Sequence, residues 1–246
     1  MASMSGAEGV GAPPSLETVL RLQAWLSPSY PLGAYSFSAG LETAAAERLV
    51  RGGSGLRDWI ETTLAHGAGW SDAVFLAGAW RAARGADAAA LAEVAALAAA
   101  FAPNQERASE TQALGAAFLK VSAAAHPWPA PIAGAPFAAA AQAALGPAPA
   151  YPVALGVWAA AFGAPAALTV GLFLQSVAAN LISAAARLSL TGQTEGQTIL
   201  SALGPRIAAL ADAAAAAPLE AAGGATLIGD IAGMRHETQE VRLFQS

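Results

Sequence analysis

The chain has 246 residues, 55% of them hydrophobic, which is enough to bury a sizeable core. It contains no cysteine, and this excludes disulfides, zinc knuckles and thiolate catalysis. A formal net charge of -5, from 12 basic and 17 acidic residues, is not the basic footprint of a nucleic-acid-binding protein.

The first residues are rich in glycine and proline, and they lack the basic start and apolar run of a signal peptide. We therefore expect a disordered N-terminal tail over residues 1–15 and a cytoplasmic protein. Ser15 is a good N-cap, and Leu16, Val19 and Leu20 follow on one side of a predicted first helix. This helix is expected to end near Ser27, just before a proline.

Alanine-rich segments with helical periodicity continue along the chain. A second helix is predicted over about 38–50, and a third carries Leu56, Ile60 and Leu64. Ser71 or Asp72 is expected to open a fourth helix, which ends near Gly85. Further helices are predicted from the cap Asp87 toward Pro103, over 107–124, around 137–145 within a proline-rich stretch, and over about 165–189 and 194–216. No alternating strand pattern occurs in the sequence.

These elements predict an all-α, single-domain bundle of roughly ten helices with flexible N-terminal and C-terminal tails. The helical domain is expected over residues 16–224, and residues 225–246 are expected to form a C-terminal tail that binds a partner. A terminal segment that is largely polar has little to hold it to its own core. The alternative is a last helix docked within the chain by Leu243 and Phe244.

An uncharged run between Lys120 and Arg187 raises the alternative of a polytopic helical membrane protein. The segment 164–186 is long enough to span a bilayer, but it contains Gln175 and Asn180, and no basic cluster flanks it. A helix that is apolar on all sides is also expected in the centre of a soluble bundle, and we favour that interpretation.

Candidate catalytic motifs are weak. Residues 36–40 resemble a nucleophile elbow only loosely, because the first glycine and the preceding strand are missing. Residues 192–198 lack the lysine and the spacing of a phosphate loop. His66, His126 and His236 fall in different elements without metal-ligand spacing. We therefore expect no enzyme and no metal or cofactor stably bound by this chain.

Four blocks in order carry a resemblance to a known family. Residues 31–42 read PLGAYSFSAGLE, which is similar to the N-terminal signature of the UreF family of urease accessory proteins. The further blocks resemble later parts of that family: ETQALG at 110–115, NLISAAARL with GQTEGQ at 180–197, and RHETQ with RLF at 235–244. Glu240 and Val241 depart from the family pattern, in which tyrosine and a small hydroxyl residue are common.

The resemblance implies an all-α, non-catalytic scaffold that binds UreD, also called UreH. It further implies recruitment of the UreG GTPase to the urease apoprotein for nickel insertion, with nickel handled by the assembled complex. A homodimer within that complex is expected, without nucleic acid or membrane. Partner-binding residues are expected in the matching blocks: Gly33, Tyr35, Ser36, Phe37, Ser38, Glu42, Arg187, Gln193, Gln197, Arg235, His236, Glu237, Gln239, Arg242, Leu243 and Phe244.

Two of these residues leave alternatives open. Phe37 is either an interface anchor or a staple that holds the second helix to the core. Arg187 either extends from a buried helix toward solvent or faces a partner.

Overall fold

The computed structural model describes residues 13–126 and 135–246, and every regular element in those ranges is helical. The predicted all-α bundle is confirmed. Residues 1–12, most of the predicted N-terminal tail, and residues 127–134 of the proline-rich stretch lie outside the described ranges. The helices are α1 (Leu16–Trp25), α2 (Leu41–Ala46), α3 (Gly52–His66), α4 (Ala68–Arg84), α5 (Ala88–Ala100), α6 (Gln105–Ala125), α7 (Ala135–Leu145), α8 (Tyr151–Ala161), α9 (Ala166–Arg187), α10 (Gln193–Ala216) and α11 (Leu227–His236).

Local sequence signals set several helix starts. The Ser15 hydroxyl accepts a hydrogen bond from the Thr18 amide at 3.2 Å, and the Asp87 carboxylate accepts one from the Ala90 amide at 2.9 Å. Both residues were predicted as N-caps, and such caps satisfy amides that the first helical turn leaves unpaired. Two short 3₁₀ helices, Ala34–Ser36 and Leu219–Ala221, connect the longer elements.

Helix α8 is buried on every side and forms the centre of the bundle. It packs against α4 and α6, and small residues let these backbones approach closely. A Cβ atom added at Gly156 would lie 2.3 Å from the Leu76 carbonyl oxygen of α4. This helix was not predicted from the sequence, because an apolar helix without a polar face has no hydrophobic periodicity.

Two helices, α9 and α10, are long and apolar enough to cross a membrane by length and composition. They pack against each other and against α4, as core helices of a globular domain also do. Two such helices are weak support for the membrane alternative.

Packing of α11 against α2 positions the site described below. Gly40 precedes α2 with a positive φ of 77°. A Cβ atom at Gly40 would lie 2.9 Å from the backbone nitrogen of Gly233 in α11. Glycine at position 40 therefore permits both the turn and the close approach of the two helices.

Candidate functional site

The N-terminal motif, residues 31–42, and the C-terminal segment, residues 234–246, lie against each other. The Ser38 amide donates to the Ser246 carbonyl oxygen at 2.6 Å, and the Ser38 hydroxyl donates to the same oxygen. The Gln245 amide donates to the Ser36 carbonyl oxygen at 2.8 Å. Elements at opposite ends of the sequence thus form one structural unit, whose solvent-facing side we call the motif–tail surface.

Glu42 is buried at the centre of this unit. Its carboxylate accepts hydrogen bonds from the backbone amides of Leu243 at 2.7 Å and Phe244 at 3.0 Å. Its Oε2 atom also lies 3.0 Å from Nε2 of His236. Burial raises the pKa of Glu42. The hydrogen bonds with His236 and with the two backbone amides lower this pKa by more, so it lies below its ordinary value. A single carboxylate therefore anchors the C-terminal segment.

His236 connects α2 with α6. Its ring is fully buried, and Nδ1 lies 2.7 Å from Oε2 of Glu106 while Nε2 faces Glu42. The ring therefore bridges the two carboxylates through both of its nitrogens. The other oxygen of Glu106 accepts from Arg242 at 2.8 Å. His236, Arg242 and the two carboxylates form a compact network, in which the buried polar groups have hydrogen-bond partners.

Arg187 joins the end of α9 to both parts of the unit. One guanidinium nitrogen donates to the Tyr35 carbonyl oxygen at 2.6 Å. The guanidinium also lies over the Phe244 ring, 4.2 Å from its centroid, in cation–π geometry. Asn180, two turns earlier on α9, donates to the Phe37 carbonyl oxygen at 3.2 Å. Helix α9 therefore holds the backbone at Tyr35 and two residues after it.

Peripheral contacts attach the C-terminal segment at its edge. Arg235 pairs with Glu47 at 2.7 Å, and the Thr43 hydroxyl donates to Gln239 at 3.0 Å. The Glu237 carboxylate accepts from the Gln105 amide at 2.8 Å, at the N-terminus of α6. A carboxylate is favoured at that helix end.

A model of the UreF family matches residues 50–204, which is more than half of the chain. The chain belongs to the UreF family. It is similar to the urease accessory protein UreF of Rhodopseudomonas palustris strain BisB5, with 47% identity over 93% of this chain and 91% of that protein. It is 47% identical to UreF of Cereibacter sphaeroides over 93% of this chain and 98% of that protein. It is 44% identical to UreF 1 of Brucella canis over 93% of this chain and 94% of that protein.

In this UreF chain, the structure changes the expected role of five predicted partner-binding residues. These residues are buried, and they make their contacts within the unit: Phe37, Ser38, Glu42, His236 and Phe244. For Phe37 the structure favours the staple over the interface anchor, because its side chain is only 8% exposed.

The remaining predicted residues of this UreF chain divide by exposure. Tyr35 is 65% exposed and Leu243 is 60% exposed. The exposed polar residues are Arg187, Gln193, Gln197, Arg235, Glu237 and Arg242, and the half-buried residues are Gly33, Ser36 and Gln239. Gln193 and Gln197 lie on the first turns of α10, and no hydrogen bond within the described ranges joins them to the motif–tail surface. Arg187 is exposed, and its guanidinium contacts the Tyr35 carbonyl oxygen and the Phe244 ring.

Sequence reasoning missed the acidic residues that complete this UreF site. Glu106 and Glu47 contact residues 130 and 188 positions away, and no local pattern marks such partners. Within residues 13–126 and 135–246, no group of three or more metal-ligating side chains could hold a metal ion. Both nitrogens of His236 lie within hydrogen-bond distance of carboxylates.

Proposed function

We propose that this chain is a non-catalytic scaffold in urease maturation. In this proposal it binds UreD (UreH) and recruits the UreG GTPase to the urease apoprotein, where nickel is inserted into the active site. Membership of the UreF family supports the proposal, since the similar proteins are named urease accessory proteins. Nickel is cargo of the assembled complex and is not held by this chain.

The observation that carries the proposal is the motif–tail surface. Tyr35 and Leu243 project from it with more than half of each side chain in solvent. Their backbones are fixed from below, Tyr35 by Arg187 and Leu243 by Glu42. A rigid exposed aromatic loses little conformational entropy on binding, and preorganised residues of this kind are typical interface anchors.

Charge around the two anchors supports selectivity of binding. Arg187 contacts the Tyr35 carbonyl group and Arg242 precedes Leu243 in the chain, while Arg235 lies on the last turn of α11. All three cations are exposed to solvent, although each also has a partner within the chain. Rim charges of this type steer association and discriminate between partners more than they add affinity. We therefore assign UreD binding to this surface, with a homodimer as the working form in the cytoplasm.

Co-expression with UreD, UreG and the urease subunits tests the proposal. A tagged chain is expected to recover UreD and UreG, and nickel-dependent urease activity is expected to require it. Recovery from a detergent-free extract is expected as well, which separates the scaffold from the membrane alternative. Full urease activation in cells that lack this chain would contradict the proposed function.

A further inference from the structure

A second feature is a solvent-open groove of about 740 Å³ between α3, α11 and the start of α6. Apolar side chains from three places in the sequence line it: Leu49, Val50, Trp59, Leu227 and Ile228. Tyr35 and Leu243 do not line it, so the groove is distinct from the anchors of the motif–tail surface.

The apolar lining is exposed to an unusual degree. Leu227 and Ile228 are 71% and 62% exposed, and Leu49 across the groove is 51% exposed. Ile231 and Met234 continue the exposed apolar side of α11 beyond the groove. Positions 227, 231 and 234 follow helical spacing and extend about 10 Å along one side of the helix. Contiguous exposed apolar surface of this kind marks a binding site.

The charged lining is acidic. Four carboxylates face the groove, from Asp58, Glu106, Glu110 and Asp230, against one cation, Arg107. Arg107 is already paired with Asp72 and with Glu110. Asp58 is exposed on α3, and Asp230 bonds only weakly to the Thr226 hydroxyl at 3.4 Å. Glu106 is also paired, with Arg242, so the negative charge that the described residues leave unpaired in the groove lies on Asp58 and Asp230.

We propose that this groove binds a basic amphipathic helix of a partner protein. The apolar face of such a helix would cover Leu227, Ile228 and Leu49. An amphipathic helix bound in a groove presents apolar side chains three and four residues apart, and the exposed apolar residues of α11 have the same spacing. Its lysines and arginines would meet Asp58 and Asp230 at the edges.

Charge disfavours the other occupants. A two-fold contact between copies would bring the same carboxylates toward each other. An anionic membrane surface would be repelled by the acidic edges. The groove adjoins the motif–tail unit at Gly40 and Ser246 but does not include the anchors Tyr35 and Leu243. The proposal therefore goes beyond the proposed function, and its test needs no urease component.

The test measures binding of a fluorescent 18-residue probe peptide of leucine and lysine, arranged as an amphipathic helix, to the full chain by anisotropy. A matched peptide carries glutamate in place of lysine. The double variant Leu227→Ser, Ile228→Ser removes the apolar lining, and Leu16→Ser, Leu20→Ser is the control on α1, where both leucines are also exposed. Asp58→Asn with Asp230→Asn removes the unneutralised charge.

The basic peptide is expected to bind the wild type and the α1 control equally and more weakly as salt increases. The groove variant is expected to bind about tenfold more weakly or worse, and the charge variant is expected to lose most of the salt dependence. Equal binding to the groove variant, or equal binding of the acidic peptide, would overturn the proposal. A change of oligomeric state in the groove variant alone would also overturn the proposal. Binding of the chain to anionic vesicles that depends on Leu227 and Ile228 would overturn it as well.

Discussion

The Nε2 atom of His236 lies 3.0 Å from Oε2 of Glu42, across 194 residues of sequence. This contact connects α11 to the N-terminal motif, and its counterpart on Nδ1 connects α11 to Glu106. Three elements that carry the motif–tail surface therefore meet at one buried ring. The ring and its two carboxylates are the structural centre of the site.

Replacement of this ring is expected to destabilise the chain. His236→Gln removes a ring that contacts two carboxylates, and buried polar groups left without a hydrogen-bond partner cost roughly 1 to 3 kcal/mol. The pKa of Glu42 is expected to rise, because the hydrogen bond with His236 is the largest of the contacts that lower it. Urea denaturation measures the loss of stability. His66→Gln is the matched control, since His66 is exposed at the end of α3, and comparable losses in both variants would contradict the assignment.

Two neighbouring side chains of the C-terminal segment, Leu243 and Phe244, are expected to have different effects when each is replaced by alanine. Phe244 is buried beneath Arg187, so Phe244→Ala is expected to lower the free energy of unfolding by about 2 kcal/mol or more. Leu243 is exposed, so Leu243→Ala is expected to leave thermal stability nearly unchanged and to weaken UreD binding. Thermal melting together with a UreD pull-down distinguishes them. A large stability loss in Leu243→Ala would show that its side chain packs within the chain.

Alanine substitutions at two glycines of the N-terminal motif distinguish the cost of backbone strain from the cost of a steric collision. Gly33 and Gly40 both have positive φ, but a Cβ atom at Gly33 meets nothing within 4 Å. Gly33→Ala is therefore expected to cost about 1 kcal/mol from the backbone alone. Gly40→Ala adds a collision with Gly233 and is expected to cost clearly more. Equal losses of stability in denaturant titrations would mean that α11 does not press against this turn.

The free energy of unfolding is expected to depend on pH through the Asp72 carboxyl group. Burial raises its pKa from 3.8 to about 6, against the opposing effect of Arg107. A raised pKa means that the folded state favours the protonated form, so this stabilisation is complete below about pH 3.8 and is lost as the pH rises through about 6. Since one pKa unit is about 1.4 kcal/mol, the loss is at most about 3 kcal/mol. The side chain is 16% exposed, which reduces this figure through solvent screening.

Asp72→Asn isolates this effect. The free energy of unfolding of the wild type, relative to that of the variant, is expected to fall between about pH 4 and about pH 7. Urea titrations at several pH values in this interval measure the difference. If the free energy of unfolding had the same pH dependence in both proteins, the Asp72 carboxyl would have the same pKa in the folded and unfolded states, which would contradict the prediction.

Much of the helical scaffold could be predicted from local signals. The caps Ser15 and Asp87 open α1 and α5, and the long helices α9 and α10 lie within a few residues of their predicted bounds. The second helix is shorter than predicted, because Arg48 adopts a positive φ of 60° soon after α2 ends. Helix α11 was not predicted as such, because its glycines and its polar continuation resemble a tail.

The sequence indicated which residues belong to the site, but it did not show which of their side chains are buried and which are exposed. The family pattern drew attention to Glu42, His236 and Phe244, but it could not show that they are buried, since their partners lie far away in sequence. Exposure of Tyr35 follows from the 3₁₀ turn and from Arg187, which holds its carbonyl group. Exposed and buried side chains lie close together in this motif, and only the folded chain distinguishes them.

Tyr35→Ala tests the central claim most directly, because it removes an exposed anchor and leaves the buried network intact. Loss of an interface anchor costs about 2 kcal/mol or more of binding, which is a reduction of roughly 30-fold in UreD affinity. The measurement is UreD binding by the purified variant, with melting temperature and urease activation in parallel and Leu20→Ala as the exposed control on α1. Weakened binding and activation at an unchanged melting temperature is the predicted result. Normal binding and activation, or a strongly lowered melting temperature, would contradict the account.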